Sequence, residues 1–152
     1  MHWKKVRDTA ATCALVFVFS FLLNYTWESL HAVFLYEGHN FQAEKYIRML
    51  LYVAAVDGLI ISVIYLGVAA LWRDILWLRE MNRKQIFTAC IAGAVIAAVI
   101  EYRKVLILKV WSYTPLMPTI FGIGVSPVLQ LGVTVYLTFW LSRRVLFGKR
   151  DL

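Results

Sequence analysis

Residues 9–34 read TAATCALVFVFSFLLNYTWESLHAVF, a run with one acidic residue and no lysine or arginine. A bilayer core about 30 Å thick needs roughly 20 mostly apolar residues in a helix, so this run predicts a membrane span. Three more runs of comparable length follow, over about 46–72, 85–110 and 121–141. They predict an all-α membrane protein, a four-helix transmembrane bundle forming a single domain over 1–152.

The whole chain agrees with that reading. Of 152 residues, 61% are hydrophobic and 16% are charged, where a soluble domain has about 45–50% and about 25%. Its mean hydropathy is +0.68. This excess excludes a soluble enzyme, a disordered tail and a disulfide-framed secreted domain. The net charge of +7 first points to nucleic acid, but the basic residues sit between and beyond the apolar runs, so no nucleic-acid partner is expected. Cys13 and Cys90 both fall inside spans and read as small packed residues. No CxxC, P-loop, HExxH or GxSxG pattern occurs, so no cofactor is predicted.

Topology follows from the short loops. Lys4, Lys5 and Arg7 precede the first span, Arg73, Arg79, Arg83 and Lys84 fill the second loop, and Arg143, Arg144, Lys149 and Arg150 close the chain. Both termini are therefore expected on the cytoplasmic face of the cell membrane. Because no small-x-small cleavage site follows its apolar stretch, the first span reads as an uncleaved helix rather than a signal peptide. The second loop, Arg73–Glu80, alternates apolar and charged residues and is expected to lie on the inner surface. In the third loop Arg103, Lys104 and Lys109 break the charge rule. They read either as snorkelling side chains or as contacts to an anionic head group.

Residues 111–124 read WSYTPLMPTIFGIG, with two prolines and two glycines in an apolar stretch. Pro127 follows inside the fourth span and predicts a kinked helix. Irregular backbone at membrane depth persists only where protein or a cavity covers it, so a pocket is expected near the outer ends of helices three and four.

Ionisable residues within spans are candidates for function. They are Glu28, His31, Asp57 and Glu101, with Asn24 and Gln130 as polar neighbours. On helix one, Cys13, Phe17, Ser20, Asn24, Glu28 and His31 follow one stripe, with Trp27 beside it. On helix three, Cys90, Ala94, Ala97, Glu101 and Lys104 form another, and Gly93 and Ala97 have the small-xxx-small spacing of close helix packing. Counted along each span, the polar groups all fall in the outer half of the bilayer, which predicts one shared pocket. Bonds between Glu28 and His31, from Asp57 to a neighbouring helix, and between Glu101 and Lys104 or Arg103 are the structural alternatives.

Two carboxyls in a dry site let one donate a proton while another accepts one. Tyr25, Trp27, Trp111 and Tyr113 would add ring faces that stabilise cations. This chemistry suits protonation of an alkene or epoxide, then cyclisation or a double-bond shift, on an isoprenoid or other lipid. Glu28, Asp57 and Glu101 are the catalytic candidates. Asn24, Trp27, His31, Trp111, Tyr113 and Gln130 are the substrate-binding candidates.

The Asn24-Tyr25-Thr26-Trp27-Glu28 segment, N-x-x-W-E, resembles the first acidic motif of the integral-membrane terpene cyclases of meroterpenoid and indole-diterpene pathways. The resemblance implies acid-initiated cyclisation with Glu28 as the acid, and leaves Asp57 or Glu101 to serve as the second acidic group. Those cyclases have more spans. Small lycopene-cyclase subunits and sterol-isomerase-like proteins are looser parallels. W-x-Y-x-x-x-M-P before G-x-G-x-S-P also resembles small four-span bacterial membrane proteins. Three other readings stay open. Glu28 and His31, at i, i+3, could begin a metal site, although no metal is the primary expectation. Asp57 and Glu101 could bind protons or cations in a transporter, which at four spans per chain requires a homo-oligomer. The small-residue faces could dock an accessory subunit on a larger partner.

Overall fold

The computed structural model describes residues 2–38 and 42–148. Lys149, Arg150 and the middle of the first loop lie outside them. Four helices carry the chain: α1 (His2–Leu35), α2 (Ala43–Trp72), α3 (Arg83–Glu101) and α4 (Val125–Phe147). The span in α3 runs on through a π-helical turn at Tyr102–Ile107. All four are long and apolar enough to cross a membrane, so the chain is a multi-pass membrane protein. The first helix packs on α2 and α4, and α3 packs on α4 and, less extensively, on α2. Up-and-down order leaves the start of α1 and the end of α4 at one end of the bundle.

Each helix end has a local cause. Seven residues before its expected start, α1 already runs through Lys4, Lys5 and Arg7, which are exposed. Past Trp72, α2 stops at Arg73 in the left-handed region (φ 55°), whose N–H bonds back to Ala70 O. Asn82 and Gln85 form a reciprocal capping box at the start of α3, satisfying two donors that a helix start leaves free.

The Arg73–Glu80 loop is not a surface turn. Asp74 accepts the Leu76 N–H at 2.9 Å, and the chain then folds Leu76, Trp77 and Leu78 into the bundle. Trp77 stacks on Tyr65 and meets Phe139 edge-on. Tyr65 donates its hydroxyl to Ile75 O, and the Trp77 indole donates to Tyr65 O at 3.3 Å. Alternation of apolar and charged residues resembles an interfacial helix, but a large aromatic is better satisfied inside a core that offers it a carbonyl. Arg79 pairs with Asp8 of α1 and covers the Phe147 ring, fastening this loop to both ends of the chain.

Helices three and four differ from expectation where they meet. Regular α geometry ends at Glu101, nine residues short of 110, and α4 begins at Val125 instead of Phe121. Residues 119–124 form a two-residue hairpin, pairing Thr119 with Gly124 and Ile120 with Ile123. Its turn residues Phe121 and Gly122 both have positive φ (52° and 77°), as a primed turn requires. Pro127 therefore sits in the first turn of α4, where its missing N–H would have had no intrahelical partner. The expected kink is replaced by a helix start. At the other end, α4 continues six residues beyond 141.

Small residues set the seams. A Cβ on Gly58 would lie 3.2 Å from the Phe17 ring, and one on Gly93 would lie 3.0 Å from Leu131 O. The buried row on α3 is Gln85, Ala89, Gly93, Ala97 and Glu101. Of the stripe expected there, Ala97 and Glu101 belong to it. Cys13 and Cys90 are free thiols, half-buried in the bundle.

Candidate functional site: an acidic cavity at the far end of the bundle

Two helices, α1 and α2, bring side chains to the Gln130 amide of α4, which is 3% exposed. Its Nε2 donates to Glu28 Oε1 at 2.8 Å, to Asn24 Oδ1 at 3.1 Å and, at 3.5 Å, to Asp57 Oδ2. Asn24 also accepts from the Thr134 hydroxyl at 3.3 Å and donates to Ser20 O at 2.8 Å. This node joins α1, α2 and α4 in the half of the bundle away from the termini.

Glu101 of α3 anchors a second node. Tyr36 donates its hydroxyl to Oε1 at 3.2 Å, while Trp111 Nε1 donates to Oε2 at 3.4 Å and Tyr113 donates its hydroxyl to the same oxygen. The Tyr113 oxygen in turn accepts the Gly124 N–H at 2.9 Å, just where α4 begins. Burial, reinforced by the Glu101 charge, pushes the Tyr36 hydroxyl well above the ordinary tyrosine range. Tyr113 is pushed the same way by burial and by its bond to Glu101. Both phenols are therefore donors at neutral pH.

The third loop is held in place by the end of α1. Tyr36 and Tyr113 pair as an isolated antiparallel bridge. Glu37 N–H donates to Ser112 O and Thr114 N–H to Leu35 O, both at 3.0 Å, and the Thr114 hydroxyl donates to Phe34 O at 2.8 Å. Carbonyls that a helix C-terminus leaves without partners thus dock the loop. After Glu101 the backbone widens into its π turn and lets Trp111 return toward the carboxylate; such turns recur at functional sites.

Between the two nodes lies a cavity of about 340 Å³, within the range of about 300–1,000 Å³ for small-molecule pockets. Glu28, Asp57, Glu101, Gln130 and Trp111 line it, together with Tyr36 and Tyr52. Other candidates stand behind this wall. Asn24 orients Gln130, and Tyr113 orients Glu101. His31 is 6% exposed with neither ring nitrogen bonded, wedged edge-on between Trp27 and Tyr36. Trp27 touches His31 rather than the cavity.

The bonds weighed between Glu28 and His31, and between Glu101 and Lys104 or Arg103, do not form. Lys104 instead places its ammonium 5.8 Å from the centre of the Trp111 ring, and Arg103 and Lys109 are exposed. Among the described residues no group of three or more His, Cys, Asp or Glu side chains is placed to hold a metal ion. Sequence reasoning passed over Tyr36, Tyr52 and Thr134. A tyrosine at a helix end reads as an interfacial belt residue, and only the docked loop reveals Tyr36 as a ligand of Glu101.

A four-span helical membrane protein with a carboxylate-lined cavity is thus defined by the fold and the site. The chain matches no family model, no curated protein and no solved structure.

Proposed function

We propose that the cavity performs acid–base chemistry on an isoprenoid or similar lipid, a double-bond shift or cyclisation, within the cell membrane. The observation that carries this reading is the convergence of Glu28 and Asp57 on one amide in the wall of a largely apolar cavity. Asp57 has a single hydrogen bond, the long one to Gln130, and so keeps capacity toward the cavity. It is assigned to give a proton to one carbon of the double bond, leaving a carbocation on the other. Glu28 takes a proton from a carbon next to the cation, and the new double bond forms there. One proton enters and one leaves, so an isomerisation needs no co-reactant. Glu101, held by three ring donors, faces the cation together with Trp111 and Tyr36. The N-x-x-W-E resemblance would instead cast Glu28 as the acid, and both assignments use the same pair. The basic loops support an orientation with both termini cytoplasmic, placing the cavity in the outer half of the bilayer.

Solvent deuterium tests the reading. The purified protein in lipid nanodiscs is incubated with isoprenoid lipid fractions in heavy water, and products are followed by mass spectrometry. Isomers or cyclised products carrying one solvent deuterium are expected. Glu28→Gln and Asp57→Asn should each slow their formation by about 10²–10⁴, the usual contribution of a positioned acid or base. Full activity in both folded variants, or products without solvent deuterium, would discard this chemistry.

A further inference from the structure

The wall of the cavity presents three carboxyls, from Glu28, Asp57 and Glu101, and among the described residues it contains no lysine, arginine or histidine. It also presents three electron-rich rings, Tyr36, Tyr52 and Trp111. Carboxyls and ring faces in a low-dielectric site favour the same ligand feature, a positive charge.

Access is sideways. Tyr52 is the most open residue of the wall, 71% exposed, and Met49 and Val53 lie on the same side of α2 with Ile100 of α3 opposite. This seam, between the two least extensively packed neighbours of the bundle, faces acyl chains in a membrane-spanning segment. Trp111, from the docked third loop, also lines the cavity. A ligand that fits both features has a cationic head for the cavity and an apolar tail for the bilayer.

We propose that the cavity binds lipophilic amines, molecules with a protonated amino head on a long apolar chain, which enter from the bilayer between α2 and α3. The head sits among Glu28, Asp57 and Glu101, and the chain leaves past Tyr52. The inference rests on the cavity being the working site, where an ammonium head occupies the place assigned to the carbocation.

The test uses the full chain in phosphatidylcholine nanodiscs, which carry no net lipid charge, with empty discs as the blank. Tetradecylamine, tetradecanol and tetradecanoate are compared by native mass spectrometry and competition. The amine should be preferred over the alcohol by about tenfold, the ratio that one charge-assisted contact of about 1.4 kcal/mol supplies, and tetradecanoate should not be retained. Glu28→Gln and Asp57→Asn should each remove most of that preference, with folding checked by circular dichroism. Tyr52→Trp, which narrows the mouth, should slow amine uptake. Equal retention of amine and alcohol, or a preference unchanged in the acidic variants, overturns the proposal. The deuterium experiment separates it from the chemistry. Selective amine binding without deuterated product leaves the ligand class standing and removes the reaction, whereas deuterated product without amine preference does the reverse.

Discussion

Gln130 has two amide protons on Nε2 and three acceptors within reach, so Asp57, at 3.5 Å, holds the weakest share. Inside a bundle such a donor cannot be replaced by water from bulk, and losing it strands its partners. Gln130→Leu keeps much of the volume and removes both N–H groups. It should cost about 1–2 kcal/mol, measured by denaturant unfolding in detergent, and an unchanged midpoint would show that the node contributes nothing to stability. Tyr36 and Tyr113 give the pH dependence. Their folded-state hydroxyls are raised above the unfolded value of about 10 by burial and by Glu101. A raised value means that their contribution is fully present below about pH 10 and is lost as pH climbs toward the folded value. Stability should therefore hold from these groups up to about pH 10 and fall above it. Tyr36→Phe and Tyr113→Phe should each flatten that alkaline fall, with phenolate absorbance following the ionisation. An alkaline slope identical to wild type in both variants would contradict the assignment.

Glycine acts in opposite ways on two of the helices. In α3, Gly93 lets Leu131 O of α4 come within 3.0 Å of where a Cβ would stand, and backbone cannot rotate away as a side chain can. Gly93→Val should therefore spread the α3–α4 seam, destabilise the protein by about 1–3 kcal/mol and disturb the cavity wall at Ala97 and Glu101 one and two turns further along. In α2, Gly67 is exposed with nothing within 4 Å of its Cβ position. Gly67→Ala should raise stability by about 0.5–1 kcal/mol, the helix cost of glycine. Thermal unfolding of the two variants in the same detergent decides the point, and similar shifts in both would deny the seam its role. The same contrast shows why the small-xxx-small spacing of Gly93 and Ala97 was legible while the register of the buried stripe was not. Spacing fixes which residues share a face, but only the partner helix chooses the face that is buried, here the row through Ala89 and Gly93.

At the scale of the whole molecule, spans were legible because twenty consecutive apolar residues have few other uses, and the shared depth of Glu28, Asp57 and Gln130 followed from counting rise per residue. The two connections that fold back were not. Trp77 in an alternating loop and Phe121-Gly122 in a primed turn depend on contacts distant in sequence, and local pattern carries neither. Topology belongs to the whole molecule, and the cavity's placement in the outer half follows from it. In a Cys13→Ser, Cys90→Ser background, Phe121→Cys reports the hairpin end, since Phe121 is 94% exposed, and Glu80→Cys reports the end that holds the termini. Basic residues crowd the Glu80 end, at Arg73, Arg79, Arg83, Arg143 and Arg144, and a cytoplasmic excess of lysine and arginine sets orientation. A membrane-impermeant maleimide on intact cells should label Phe121→Cys and spare Glu80→Cys until the cells are permeabilised. The reverse pattern would place the acidic cavity in the inner half, and labelling of both sites in intact cells would break the four-span topology itself.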